Sequence, residues 1–246
     1  MKQRSIPTRG SLPGALVICS AAVILALMSA PTLSAQSASG TSAWVPEDYE
    51  RYSYEEFVEL PEVNEEIDFD RLDYPLLHAA VLYLTNVERE KRGFQPLRHH
   101  PLLEAAAQGH SEDMRDQGFF SHASPVDGKR TVADRYRVVG LPRTATGENI
   151  AISFGIQYQA GRGVFSPAQN GGYFSYEYQG EPIPPHTYLS AAQAVVEQWM
   201  DSPGHRANIL RSHFRSLGVG AAHYQDPSFH GIDKFYFTQN FAGELP

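Results

Sequence analysis

The stretch Trp199-Met200-Asp201-Ser202-Pro203-Gly204-His205-Arg206-Ala207-Asn208-Ile209-Leu210 decides the reading of this chain. It joins the end of one helix to the start of another. Ala192, Val195, Val196 and Trp199 share one face of a helix predicted over 190–200. Ser202 then stands as an N-cap, and Pro203 occupies a first helical turn, where its missing N–H costs nothing. His205 falls in that first turn. Unpaired backbone N–H groups and the positive end of the helix dipole disfavour an imidazolium there. The ring is thereby pushed towards the neutral form, which can accept a proton or ligate a metal.

Working outward, apolar periodicity predicts further helices over 75–92, 101–117 and 131–139, with Gly93, Gly118 and Gly140 as stops. Strands are predicted over 150–154, 217–224 and 235–241, the last two joined by a turn at Asp226-Pro227. Helices dominate the first half and strands the end, which points to an α+β layered domain.

Two more local clusters carry chemistry-bearing groups. His122 lies in Phe119-Phe120-Ser121-His122-Ala123-Ser124-Pro125, a turn-rich loop directly after a helix. Glu148 opens an apolar strand in Gly147-Glu148-Asn149-Ile150-Ala151. His110 shares a stripe with Leu103 and Met114 and reads as a buried, hydrogen-bonded histidine. There is no nucleophile elbow, zinc-protease helix, phosphate loop or dinucleotide fingerprint.

The chain has 246 residues, 28 acidic against 20 basic, and a formal net charge of -8. The charge is uneven: 12 of the acids and two arginines fall within 47–73. The remaining domain is close to neutral, and no basic patch of the kind nucleic acid demands is present. Residues 1–37 read as a signal peptide: Lys2, Arg4 and Arg9 precede an apolar run of about 17 residues from Gly14 to Ala30, then small residues to Ala38. Cleavage there competes with retention as an anchor, for which the run is at the lower limit. Either way no second such run follows. The single cysteine, Cys19, sits inside the apolar run, so the mature chain is free of thiols and disulfides. That composition suits a bacterial exported protein, secreted or periplasmic, better than an animal secreted one.

Residues 38–73 form an acidic, tyrosine-rich leader, readable as a solvated linker or as an arm docked through Trp44, Tyr52 and Phe57. Residues 155–189 are rich in Gln, Gly, Tyr, Phe and Pro. They read as a long surface loop, or as a lid over a nearby groove.

From Leu76 to Gly243 the motifs occur in an order that resembles the CAP superfamily (SCP or pathogenesis-related-1-like domains) in its short bacterial form. The blocks are Asn86-x-x-Arg89-x-x-x-Gly93-x-x-Pro96-Leu97, Phe119-Phe120-Ser121-His122, Arg135 with Gly140, Gly147-Glu148-Asn149, the Trp199 to Leu210 stretch, Leu217-Gly218-Val219-Gly220, and Phe237-Thr238-Gln239-x-Phe241. The resemblance implies a three-layer α-β-α sandwich over 74–246, the 155–189 insertion included. It also implies a cleft lined by two histidines and two acids. His122 and His205 match the histidines and Glu148 the first acid. Asp201 and Glu197 are the candidates for the second. Family members suggest binding of a divalent metal such as zinc at His122 and His205, or of a small apolar ligand. The alternatives are a hydrolase using His122, His205 and Glu148, or a cell-surface or cell-wall partner without catalysis. No cofactor is required.

Overall fold

The structure, a computed structural model, describes residues 44–245. The proposed signal segment lies outside them. Among the described residues no helix is long and apolar enough to cross a membrane.

The centre is a four-stranded sheet of β1 (Arg98–His99), β2 (Thr146–Phe154), β3 (Ser216–Asp226) and β4 (Ile232–Ala242), ordered β1-β3-β4-β2. β1 runs parallel to β3, and the other pairs are antiparallel. The register sets Glu148 opposite Asn240, and Asn240 opposite Gly218, so these three share one face.

That face is covered by α5 (Pro101–Gln117) and α6 (Val132–Val138). α5 begins on Pro101 and ends at Gly118, whose φ of 65° is the left-handed stop the sequence indicated. Its close approach depends on two glycines. A Cβ at Gly218 would lie 2.0 Å from the Glu104 backbone nitrogen, and one at Gly220 2.2 Å from that of Gln108. Ser111 Oγ pins the contact by donating to the Gly220 carbonyl at 3.2 Å.

The opposite face packs against α4 (Tyr74–Glu90) and α8 (Tyr188–Asp201), with α9 (Pro203–Ile209) at the end of α8. Leu77, Val81, Val195, Trp199, Phe235 and Phe237 are fully buried between these layers. The result is the α-β-α sandwich expected from the pattern. Ser202 occupies the N-cap of α9 as predicted, but its side chain makes no capping hydrogen bond. Pro203 begins the helix, and Arg206 ties the turn by donating to the Met200 carbonyl at 2.7 Å.

Residues 44–73 are docked on the domain, so the reading of them as a solvated linker does not hold. They contain α1 (Asp48–Arg51), α2 (Tyr54–Val58) and α3 (Pro61–Asn64). Phe57, Val63 and Ile67 are buried while Glu55, Glu56, Glu59 and Glu62 face water. Phe57 stacks on Tyr83 of α4 at 4.4 Å, and Tyr83 Oη donates to the Tyr52 carbonyl at 2.8 Å. The charge run hid an amphipathic strap whose apolar positions recur every four to six residues.

The 155–189 insertion is not a cover for the His122–Glu148 region. It builds a satellite core in which Phe174 and Ile183 pack on Ile232 at the β3–β4 turn. It contains α7 (Pro167–Asn170) and is tied back by the pairing of Ile156 with Pro185. It leaves the sheet at the far end of β2, six residues beyond Glu148, or about 20 Å of strand.

Candidate functional site

Glu148 is the anchor of the site. It sits near the start of β2, on the face covered by α5 and α6, and its side chain is 2% exposed. A buried carboxylate must be paired and hydrogen-bonded to remain ionised. Arg135 of α6, equally buried, donates through Nη2 to Glu148 Oε2 at 2.5 Å. Its Nη1 donates to the carbonyls of Lys129 and His122, which ties the His122 loop to the same cation. Asn240, with its amide turned to match donors with acceptors, donates to Oε2 at 3.2 Å and accepts from the Ala107 N–H at 3.0 Å.

The other carboxylate oxygen faces His122. Nδ1 of His122 lies 2.8 Å from Glu148 Oε1. With the carboxylate as acceptor, Nδ1 carries the proton and Nε2 keeps its lone pair. The His122 side chain is 54% exposed, so that lone pair is available to a ligand.

His110 stands behind the pair, fully buried, with Nε2 3.8 Å from Glu148 Oε1 and 3.2 Å from the Ser121 carbonyl. Burial pushes it down to about 4, although Glu148 pulls the other way. A neutral ring donating to the Ser121 carbonyl fixes the loop that carries His122. This is the buried, hydrogen-bonded role read from its stripe.

His205 is held on α9, whose position against β2 is set by asparagines. Asn149 Nδ2 donates to the His205 carbonyl at 3.2 Å, and Asn208 Nδ2 donates to the Glu148 carbonyl at 3.1 Å. Partial burial, and then the charge that His122 can carry, hold His205 below its ordinary value. The direction matches the helix-terminus expectation, but the first cause is desolvation.

The two candidates for a second acid lie elsewhere. Glu197 and Asp201 are exposed on α8 and line a depression of about 540 Å³ with Tyr54, Glu88 and Arg92. None of His122, Glu148 and His205 lines it. Glu197 accepts from Gln193, one turn back along its own helix. Glu148 is accompanied by the Arg135 cation, the Asn240 amide and the His122 ring, and among the described residues no second carboxylate is hydrogen-bonded to this group.

Arg135, Asn149, Asn208 and Asn240 were not singled out as site residues from sequence. One signal was there: α6 puts Arg135 beside Tyr136 on its buried side, and a cation on an inward face needs acceptors for its N–H groups.

Comparison with known proteins now bears on the assignment. Residues 82–241 match the family model for CAP, described as the cysteine-rich secretory protein family. The chain belongs to the CAP family. It is 32% identical over 140 residues to the uncharacterized protein YkwD of Bacillus subtilis, covering 57% of this chain and 40% of that one. It is 32% identical over 161 residues to the uncharacterized membrane protein YlbC of the same organism, covering 65% of this chain and 33% of that one. The match therefore spans well under half of either relative. Among solved structures, an extracellular SCP-domain protein of Bacillus anthracis is 27% identical, with a TM-score of 0.47 and coverage of 70% of this chain and 41% of that one. An outer surface protein of Borrelia burgdorferi is 13% identical, with a TM-score of 0.42 and coverage of 74% and 99%.

Proposed function

We propose that this CAP domain is exported and binds a ligand at His122 and His205, in the first instance a divalent cation such as zinc. One observation carries the reading. Glu148 accepts a hydrogen bond from Nδ1 of a half-exposed histidine and leaves the Nε2 lone pair facing outward, which is how carboxylates orient metal-ligating imidazoles. His205, biased towards the neutral ring, would supply the second nitrogen.

The donor set fits zinc in kind and is short in number. Among the described residues, no group of three or more His, Cys, Asp or Glu side chains is arranged to hold a metal ion. Two imidazoles would hold the cation, with water or a ligand's own oxygens completing four positions. A bound zinc would supply Lewis acidity at that point. The chain's own part is to hold two lone pairs outward on a rigid base. A small apolar ligand is the other form of the binding reading.

Hydrolysis is the second reading, because a carboxylate-oriented histidine is also a general base. Ser121 has no activating base among the described residues: its Oγ accepts from the Ala123 N–H at 3.1 Å and is hydrogen-bonded to no imidazole. A cell-surface or cell-wall partner bound without chemistry is the third. The amino-terminal pattern of 1–37 supports export.

Calorimetry of zinc binding to the full chain, His122→Ala and His205→Ala tests the first reading. Each substitution is expected to weaken binding at least tenfold, and equal affinity in all three proteins overturns it. For the second reading, peptide and ester substrates are offered to the same proteins. Turnover that survives loss of both histidines arises elsewhere.

A further inference from the structure

β2 is the outermost strand on its side of the sheet and is paired only with β4. In an antiparallel ladder, alternate residues turn both backbone groups away from the partner strand. In β2 these are Glu148, Ile150, Ile152 and Phe154, and side chains claim the first two carbonyls. Asn208 Nδ2 donates to that of Glu148 at 3.1 Å, and Trp199 Nε1 to that of Ile150 at 3.1 Å. Beyond Ile150 the cover stops. The N–H and C=O groups of Ile152 and Phe154 have no hydrogen-bond partner among the described residues. From Gly155 on, the chain covers its own backbone: the His186 N–H donates to the Gly155 carbonyl at 2.9 Å, and the Gln157 N–H to that of Pro184 at 2.9 Å. The open stretch is thus bounded at both ends, and Ile152, Ser153 and Phe154 within it are half-buried. The other side of the sheet is treated differently. Past β1, side chains cap the outward amides of β3: the Ala221 N–H donates to Gln108 Oε1 at 2.9 Å, and the His223 N–H to Tyr74 Oη at 3.1 Å.

We propose that the open edge of β2 binds an extended peptide, which pairs with Ile152 and Phe154 as an added strand and runs towards the His122–Glu148 site. Backbone geometry decides the class of ligand. A donor and an acceptor on one residue, repeated two residues on at about 7 Å, match the repeat of another strand. A helix has used its own backbone groups internally. An anion finds no free cation, since Lys234, opposite Phe154, pairs with Asp226 at 2.6 Å. Charges and prolines are what block natural edge strands, and Ile150 to Gly155 contains none. Side chains favour an apolar residue opposite Ile152. That residue would meet Ile152 and the ring of Phe120, which is 48% exposed and lies 6.2 Å from Tyr236, the ladder partner of Ile152. Ile152 is four residues, about 13 Å of strand, from Glu148. There His122 meets Glu148 on one face of the sheet, and α9 meets Asn149 on the other. A second copy of the sheet would bring covering helices to both of those faces, so a single strand fits the edge better. The inference adds a ligand class to the site proposed above and does not rest on a metal there.

The test is calorimetric titration of the full chain, without added metal, with three acetylated and amidated hexapeptides in which threonine alternates with valine, leucine or phenylalanine. Hexaproline and cellotriose are run alongside. At least one alternating hexapeptide is expected to bind with a Kd below about 1 mM. Amide hydrogen exchange read by NMR locates it. The Ile152 and Phe154 amides should slow at least about tenfold on binding, whereas those of Ala151 and Ser153, bonded to β4, should change little. Ile152→Pro removes an outward N–H that the ladder does not use, a position where edge strands tolerate proline. It should weaken binding about fivefold or more, and Ile152→Val should bind like the parent. Failure of all three hexapeptides overturns the proposal. So does binding that leaves the Ile152 and Phe154 amides unchanged, binding unaffected by Ile152→Pro, or binding of hexaproline or cellotriose in their place. Should Ile152→Pro not fold, the exchange pattern decides alone. Sedimentation of the parent without peptide addresses the remaining occupant: a dimer that Ile152→Pro abolishes would mean that a second copy takes the edge, and overturns the proposal too. The zinc titration is read separately, so failure of either inference leaves the other standing.

Discussion

Substituting Arg135 by methionine removes the guanidinium that pairs with a carboxylate that is 2% exposed. The remaining hydrogen-bond partners of Glu148 are His122 Nδ1 at 2.8 Å and Asn240 Nδ2 at 3.2 Å. Breaking one side of a buried ion pair costs about 3–5 kcal/mol, because the surviving charge stays buried. Lost hydrogen bonds to the Lys129 and His122 carbonyls add about 1 kcal/mol each. Against a total stability of about 5–15 kcal/mol, Arg135→Met should leave the domain barely folded at room temperature. The double variant Arg135→Met/Glu148→Met removes both charges and fills a similar volume. It should lie within about 2 kcal/mol of the parent. The single change is therefore expected to be worse than the double one, with a coupling energy above about 2 kcal/mol. Urea unfolding followed by the fluorescence of Trp199, buried and bonded to the Ile150 carbonyl, measures this. If Arg135→Met falls within about 1 kcal/mol of the parent, or the two single effects simply add, Glu148 is not held as a buried anion and the account of the site fails.

Three further outcomes are expected. Burial holds His110 at about 4, against an ordinary 6.5, so between those values the unfolded chain binds a proton that the folded chain does not. Stability should fall on acidification through that window by up to about 3 kcal/mol, with His186, also near 4, acting in the same direction. Urea midpoints at pH 7.5 and pH 4.5 measure the drop, and a His110→Gln variant that keeps the full drop would refute its origin. Gly220→Ala should cost more than about 3 kcal/mol or prevent folding, since its Cβ meets α5 backbone at 2.2 Å; circular dichroism melting near the parent value would sink the close-packing argument. Phe57→Ala should cost about 3–5 kcal/mol and open residues 44–73 to limited proteolysis, whereas an unchanged digestion pattern would mean that the strap is held by other contacts.

The long elements were legible because each repeats its apolar residues at the period of its own geometry. α4, α5, α6, α8 and β2 to β4 all fall where that period places them, to within a few residues. β1 was not legible, being two residues whose only reason to extend is pairing with β3. Nor were α1 to α3, of four or five residues each, too short to be stable before they dock. Ser202 shows the limit of local rules: the right residue at the cap position makes no capping bond.

The candidate site divides in the same way. By itself the sequence determined the order of the motifs, and it is that order, matched to the family, that singled out His122, Glu148 and His205 as candidates, since each cluster is weak alone. Only the tertiary structure decided which charges face each other. Arg135 and Glu148 are 13 residues apart and His122 and Glu148 are 26, and they meet only because α6 and the loop after α5 close over the start of β2. It also decided that Glu197 and Asp201 stay in water and that the acidic leader is a docked strap. It placed the aromatic insertion at the far end of the sheet. The cause is common to all of these. A local pattern reports what a residue prefers, whereas the fate of a charge or an aromatic ring depends on what covers it, and that cover comes from distant parts of the chain.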